Sequence, residues 1–261
     1  MSEVLYEVDA RGVATVTLNR PEKHNAFDDT LIHELTRLFK QAGEDPKVRV
    51  LVLAANGKSF CAGADANWMK RMAGYSFEEN VTDAKALAMM LHTLNFLPKP
   101  SIAKVQGAAF GGAVGLIACC DMAIGSKMSK FCLSEVKLGL IPATISPYVI
   151  EAIGKRTARR YFTTAEVFSA HRASDLGLLS EAVTEEELDQ TVEDLIAQIL
   201  KNSPDAVAAA KQLIFDVTEP SDDEELMEKT SLRIATIRVS EQGQEGLNAF
   251  LEKRKPSWYQ E

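Results

Sequence analysis

Two short stretches rich in small residues could build a catalytic site. The first, "SFCAGAD" (Ser59 to Asp65), follows a valine- and leucine-rich segment and precedes an apparent helix, "ANWMKRM". Small residues at Ala62, Gly63 and Ala64 let a ligand approach the backbone closely, and an N–H group at such a turn can face an anion. The same residues also suit a plain strand-to-helix turn with Asp65 as the helix cap. The second stretch, "GAAFGGAV" (Gly107 to Val114), also reads as a strand entering a helix, which puts the Gly112 N–H at the helix's positive end. Two such N–H groups converging on one oxygen form an oxyanion hole, which holds the charge that develops on a carbonyl during addition, elimination or proton transfer. A third glycine, Gly115, lies inside the helical run "FGGAVGLIACCD". Glycine there costs about 1 kcal/mol relative to alanine, so its position asks for a reason.

The surrounding chain is built to hold such turns. With 261 residues, 46% hydrophobic and 25% charged, it has the composition of a globular protein with one large core, or a core plus an appendage. "VATVTLN", "VRVLVLAA" and "SIAKVQGA" read as strands. "DDTLIHELTRLFKQA", with Asp28 or Asp29 as cap, and "NVTDAKALAMMLHTLNFL" read as amphipathic helices. The alternation predicts an α/β fold with a covered sheet. After about Glu185 the strand signals stop, so the expected division is a core over 1–190 and a helical part over 191–261 packed on it, with no flexible linker between.

Several function classes lose support from the same composition. No apolar run approaches the ~20 residues of a membrane span, and "MSEVLYEVDARGV" lacks the order of a signal peptide, which predicts a cytoplasmic chain without membrane contact. A formal charge of −8 disfavours nucleic acid as a partner. Cys61, Cys119, Cys120 and Cys132 lack zinc-ligand spacing and read as reduced, buried small hydrophobes. His24, His33, His92 and His171 form no ligand pair at helical spacing, so no metal is expected. Dinucleotide-binding and Walker A patterns are absent.

The ordered set "LNRPEKHNA", "FCAGAD", "VQGAAFGGAVGL", "FCLSEVKLGLIP" and "FLEKRKPSW" resembles the enoyl-CoA hydratase/isomerase, or crotonase, superfamily from the first strands to the C-terminal helix. The resemblance implies a spiral of repeated ββα units with a helical trimerisation region, assembled as a homotrimer or a homohexamer. It implies an acyl-CoA thioester as substrate, with coenzyme A entering as part of that substrate and no separate cofactor. Position by position, the oxyanion donors would be the N–H groups of Ala64 and Gly112. The coenzyme A site would include Arg20, Lys58, Ala62 and Asp65, joined by Phe250 and Lys253 from the C-terminal helix, in the same or a neighbouring subunit. Asn67 stands where many relatives carry a lysine, which leaves Lys70 or Arg71 for that phosphate contact.

Hydratases of the superfamily use two glutamates. Glu135 matches one of them, a carboxylate able to exchange a proton at the α-carbon if its pKa is raised. Gly115 takes the place of the other, three residues after Gly112 on the same helix face. Three readings of Gly115 stay open: close helix packing; a single-base Δ3,Δ2-enoyl-CoA isomerase; or room for a substrate carrying its own carboxylate. The motifs around it resemble bacterial 3-methylglutaconyl-CoA hydratases of leucine breakdown and hydratases of longer 3-alkyl-glutaconyl-CoA thioesters, which fits the third. A decarboxylase, a thioester binder without activity and an RNA-binding relative are the remaining alternatives. Trp68, Met69, Ser146 and Tyr148 could border the acyl site, and "KRTARR" (Lys155 to Arg160) reads as a solvated face.

Overall fold

Valine-rich alternation becomes strand, and i, i+3, i+4 spacing becomes helix, along the first half of the chain. A computed structural model describes residues 2–218 and 222–259. In chain order it runs β1 (Val4–Val8), β2 (Val13–Leu18), α1 (Asp29–Glu44), β3 (Val50–Ala55), α2 (Ala66–Met72), α3 (Phe77–Asn95), β4 (Ser101–Val105), β5 (Ala108–Phe110) and α4 (Gly112–Ala118). It continues with β6 (Met122–Ser126), β7 (Lys130–Cys132), α5 (Ser146–Ile153), α6 (Lys155–Thr164), β8 (Phe168–Ser169), α7 (Ala170–Asp175) and β9 (Glu181–Val183), then α8 (Leu188–Leu200), α9 (Pro204–Thr218), α10 (Asp223–Val239) and α11 (Glu241–Leu251).

The strands form two sheets. The larger has the order β1-β2-β3-β4-β6-β9, antiparallel between β1 and β2 and parallel elsewhere; the smaller has the order β5-β7-β8. Successive strand pairs send one member to each sheet: β4 goes to the large sheet and β5 to the small one, then β6 and β7 repeat the division. The chain therefore winds as a spiral, and the mixed α/β class expected from the sequence is the observed one.

All six residues of β3 are buried, because both faces of the large sheet are covered. On one face Leu51, Leu53 and Ala55 join Leu35, Leu38 and Phe39 of α1 and Met90, Leu91 and Leu94 of α3. On the other, Val50, Val52 and Ala54 meet Leu188, Val192 and Ile196 of α8. The expected boundary at 190/191 therefore cuts through α8, whose apolar face is part of the sheet's covering. The helical region that stands apart from the sheet begins after it. A polar clasp ties α9 back to the core: the Asp121 carboxylate accepts from Ser101 N–H (2.7 Å), Ser101 Oγ (3.0 Å) and Lys211 Nζ (2.8 Å). Among the described residues α10 buries none, and it presents Met227, Leu232, Ile234 and Val239 on its surface. No helix among the described residues is long and apolar enough to cross a membrane.

Candidate active site

The two small-residue turns lie side by side because their strands are stitched together. Cys61 N–H donates to Ala108 O (3.1 Å) and Phe110 N–H donates to Cys61 O (3.0 Å), a parallel bridge between Cys61 and Ala109. Past this bridge most of the backbone groups in the first turn are used. Ala62 N–H donates to His24 O, Gly63 N–H to Cys61 Sγ, and Asp65 N–H to Phe27 O. Ala64 N–H is left without a protein acceptor among the described residues. In the second turn Gly111 N–H donates to Cys132 O (2.8 Å) and Gly111 O accepts from Val114 N–H (2.9 Å), while Gly112 N–H, at the first position of α4, has no protein acceptor among the described residues. Two donors without protein partners at adjacent turns are open to an acceptor that arrives from outside.

Glycine is required at the second turn. Gly111 adopts φ 56°, ψ −126°, a region closed to side chains. A Cβ on Gly112 would lie 2.4 Å from Phe27 Cζ, so the phenyl ring presses directly on the donor's own residue. Phe27 in turn faces the buried Trp68 ring at 6.1 Å, and Trp68 Nε1 donates to Asp83 (3.1 Å). The sequence reading left Phe27 out, since no local pattern marks a residue whose role is contact with a glycine 85 positions away.

Glu135 begins a single 3-10 turn, Glu135–Leu138, just after β7. Its Oε1 lies 3.4 Å from the point a Gly111 Cβ would occupy, which puts the carboxylate against the second turn. Its Oε2 is buried and has no hydrogen-bond partner among the described residues. Burial pushes the Glu135 pKa above 4.5, opposed by a hydrogen bond from its own backbone N–H. A half-buried carboxyl with a raised pKa and a free oxygen is suited to taking and giving protons.

Ala64, Gly112 and Glu135 are thus brought together, and other expected residues have different placements. Gly115 opens no volume: a Cβ there would lie 2.2 Å from Ile145 Cγ2 and 2.7 Å from Ile145 Cβ, so the space is filled by the residue that precedes α5. Close packing is the reading of Gly115 that the structure supports, and the space-making reading is corrected accordingly. Arg20 is 2% exposed, with Nη1 2.8 Å from Asp28, Nη2 3.3 Å from Asp65 and Nε 3.4 Å from Glu3. Asp65 caps α2, accepting from Asn67 N–H (2.8 Å) and Trp68 N–H (3.3 Å). Both side chains are committed to the fold beneath the first turn, a correction to the expectation that they touch coenzyme A; the helix-cap reading of Asp65 is the observed one.

Lys58, Ala62, Asn67 and Lys70 are exposed around that turn. Arg71 is paired with Asp29. Phe250, 82% exposed, and Lys253 lie at and beyond the end of α11, which packs on α9 and α10. Among the described residues no hydrogen bond, ion pair or ring contact joins either to Glu135 or to the two turns. Burial pushes the Cys61 thiol up to about 12, which removes it as a nucleophile near neutral pH. His24 meets Ser59 Oγ at 3.2 Å, and the His92 ring lies 4.5 Å from that of Phe96, tilted to it by 39°. Among the described residues no group of three or more His, Cys, Asp or Glu side chains is arranged to hold a metal ion.

Two backbone donors beside a carboxyl of raised pKa, on a spiral α/β scaffold, suit an enzyme class that works through a stabilised enolate. The chain belongs to the enoyl-CoA hydratase/isomerase family, whose profile matches residues 9–261. It is 47% identical to an enoyl-CoA hydratase from Shewanella pealeana of known structure, with a TM-score of 0.95 over 98% of this chain and 96% of that one. Enoyl-CoA hydratase ACTT6 of Alternaria alternata is 33% identical over 90% of this chain and 78% of its own. The trans-2-decenoyl-[acyl-carrier-protein] isomerase of Streptococcus mutans serotype c is 29% identical over 98% of this chain and 97% of its own. Hydratase and isomerase relatives both span nearly all of the scaffold, and the chain is an enzyme of this hydratase/isomerase type acting on acyl-CoA.

Proposed function

We propose that the enzyme adds water reversibly to 3-alkyl-glutaconyl-CoA thioesters, foremost 3-methylglutaconyl-CoA, giving 3-hydroxy-3-methylglutaryl-CoA in leucine breakdown. The observation that carries the chemistry is the pair of unmet N–H groups at Ala64 and Gly112 beside the unpartnered Glu135 Oε2. The thioester oxygen sits on the two N–H groups. Glu135 takes a proton from water, the water oxygen bonds to C3, and the C2–C3 π electrons pass through C1 onto the held oxygen. The same proton then passes from Glu135 to C2, which restores the thioester and the carboxylate. One carboxylate serves both half-steps, so hydration does not require a glutamate at 115. Each oxyanion donor is worth about 10²–10³ in kcat.

The carboxylated substrate is favoured by charge rather than by volume. Gly115 and Ile145 present no charge where a second glutamate would stand. Two like charges ~4 Å apart repel by about 4 kcal/mol at an effective dielectric of ~20, so a site with one carboxylate tolerates an acyl group that brings another. Lys58 and Lys70, exposed near the Ala64 turn, are suited to the phosphates of coenzyme A. Phe250 and Lys253 are assigned to a neighbouring subunit's site in a homotrimer or a hexamer of two trimers, consistent with the uncovered apolar residues of α10. Coenzyme A arrives within the substrate, with no separate cofactor, and the enzyme works in the cytoplasm.

The single carboxylate also favours a second reading, Δ3,Δ2-enoyl-CoA isomerisation by Glu135 alone. Turnover of purified protein and Glu135→Gln with 3-methylglutaconyl-CoA and crotonyl-CoA, products identified by mass, separates the two. Fast hydration of the first thioester, weak action on the second and loss in the variant support the proposal. No hydration of either, with double-bond migration in a 3-enoyl-CoA, establishes the isomerase instead.

A further inference from the structure

We infer that Ser134 holds the water that Glu135 activates, taking over the part that a second carboxylate would play. The inference rests on the hydratase reading above and concerns the same site. Ser134 Oγ lies 3.7 Å from the point a Gly111 Cβ would occupy, and Glu135 Oε1 lies 3.4 Å from that same point. Gly111 has to be glycine for its φ of 56°, so no side chain stands between its Cα and these two oxygens.

The Ser134 hydroxyl has no task in the fold. It precedes the 3-10 turn, yet it makes no capping hydrogen bond there, and among the described residues it has no protein partner. The backbone alone holds that turn, through Lys137 N–H to Ser134 O at 3.1 Å. The side chain is half-buried, so it can reach both the carboxylate and a solvent molecule entering beside it. The alternative position for a water-binding group, residue 115, is closed by Ile145.

A water seated between the two side chains gives one O–H to Glu135 and the other to Ser134 Oγ, which turns an oxygen lone pair toward C3 of the substrate. Glu135 takes the first proton as the C3–O bond forms and returns it to C2. The second O–H stays with the product as its hydroxyl, and Ser134 ends unchanged. The residue acts on water addition and takes no part in proton exchange at C2, which needs only Glu135 and the two N–H groups.

That separation provides the test. Ser134→Ala and Ser134→Thr are compared with wild type in two reactions: hydration of 3-methylglutaconyl-CoA, and deuterium exchange at the α-carbon of 3-methylglutaryl-CoA, a thioester with no double bond to hydrate. Loss of one aligned hydrogen bond in Ser134→Ala should lower the hydration kcat by about tenfold to a hundredfold, with α-exchange within about twofold of wild type and hydration recovered in Ser134→Thr. Intact exchange also certifies the fold and the Glu135 geometry. Hydration at the wild-type rate in Ser134→Ala, or an equal fall in both reactions, overturns the inference. If wild type exchanges the α-deuteron and hydrates no enoyl thioester, the hydratase reading fails first and takes the water-holding role with it.

Discussion

The Ala64 and Gly112 turns each present an N–H group without a protein acceptor among the described residues, and they are held by opposite means. The Ala64 turn is fixed by charge: Arg20, 2% exposed, lies between Asp28, which caps α1 through Leu31 N–H, and Asp65, which caps α2. One guanidinium joins two helix starts and sets the turn between them. The Gly112 turn is fixed by exclusion: a positive φ at Gly111 and the Phe27 ring against Gly112 leave no room for a side chain. The first turn tolerates a methyl at the donor residue, since Ala64 is exposed, and the second does not. A backbone donor can therefore be aimed either by partners that hold it or by neighbours that confine it, and the two kinds fail differently when mutated.

Arg20→Ala should have the largest effect on stability, because it leaves two carboxylates near the core without their shared partner. A loss of about 3–5 kcal/mol is expected in urea unfolding. Burial pushes the Asp65 pKa up, but the Asn67 and Trp68 N–H groups and then Lys23 and Arg20 outweigh it and hold the pKa below 3.8. This stabilisation is present above 3.8 and is lost as pH falls through the lower folded-state value, so the wild-type advantage over Arg20→Ala should shrink in acid. An undiminished Tm in the variant would break the contrast between the turns.

Gly112→Ala tests the confined turn. A methyl 2.4 Å from Phe27 Cζ forces ring and turn apart, and kcat should fall about 10²–10³-fold with the fold retained. Ala64→Gly should change kcat only a few-fold, about 2 to 5 times, through added chain freedom. Equal losses in the two variants would mean that the turns are held alike.

Gly115→Glu extends the contrast one helical turn onward, where a side chain meets Ile145. Overpacking should cost about 1–3 kcal/mol, and a second change, Ile145→Ala, should recover part of it. A single variant as stable as wild type would show that Ile145 yields freely. The smallest effect on stability is expected for Glu135→Gln. Its native pKa is raised, so ionisation of the wild-type side chain opposes folding at neutral pH, and the variant should be the more stable protein there. The difference should be full above the raised pKa and gone below 4.5, as read by melting across pH.

The large elements were legible in the sequence. β2, β3, α1 and α2 lie within a residue or two of where the sequence puts them, whereas the segment read as one strand over 101–108 is β4 followed by the start of β5. The short strands β5, β7, β8 and β9, of two or three residues, exist through pairing with distant strands and leave no local periodicity. The two donor turns could be read because small residues between a strand and a helix have few other uses. The cap at Asp65 could be read too, but the fate of Arg20 could not, since an ion pair across 45 positions and a ligand contact call for the same residue types. Gly115 was equally ambiguous until the residue facing it, 30 positions along the chain, was known.

The bridge between Cys61 and Ala109 also gives the enzyme a built-in gauge of occupancy. The amides of Cys61 and Phe110, bonded across it, exchange with solvent deuterium only when the core opens, whereas those of Ala64 and Gly112, three and two residues away, have no protein acceptor among the described residues. A thioester oxygen seated between the turns should slow exchange at the second pair and leave the first unchanged, so time spent with ligand bound is recorded in the backbone itself.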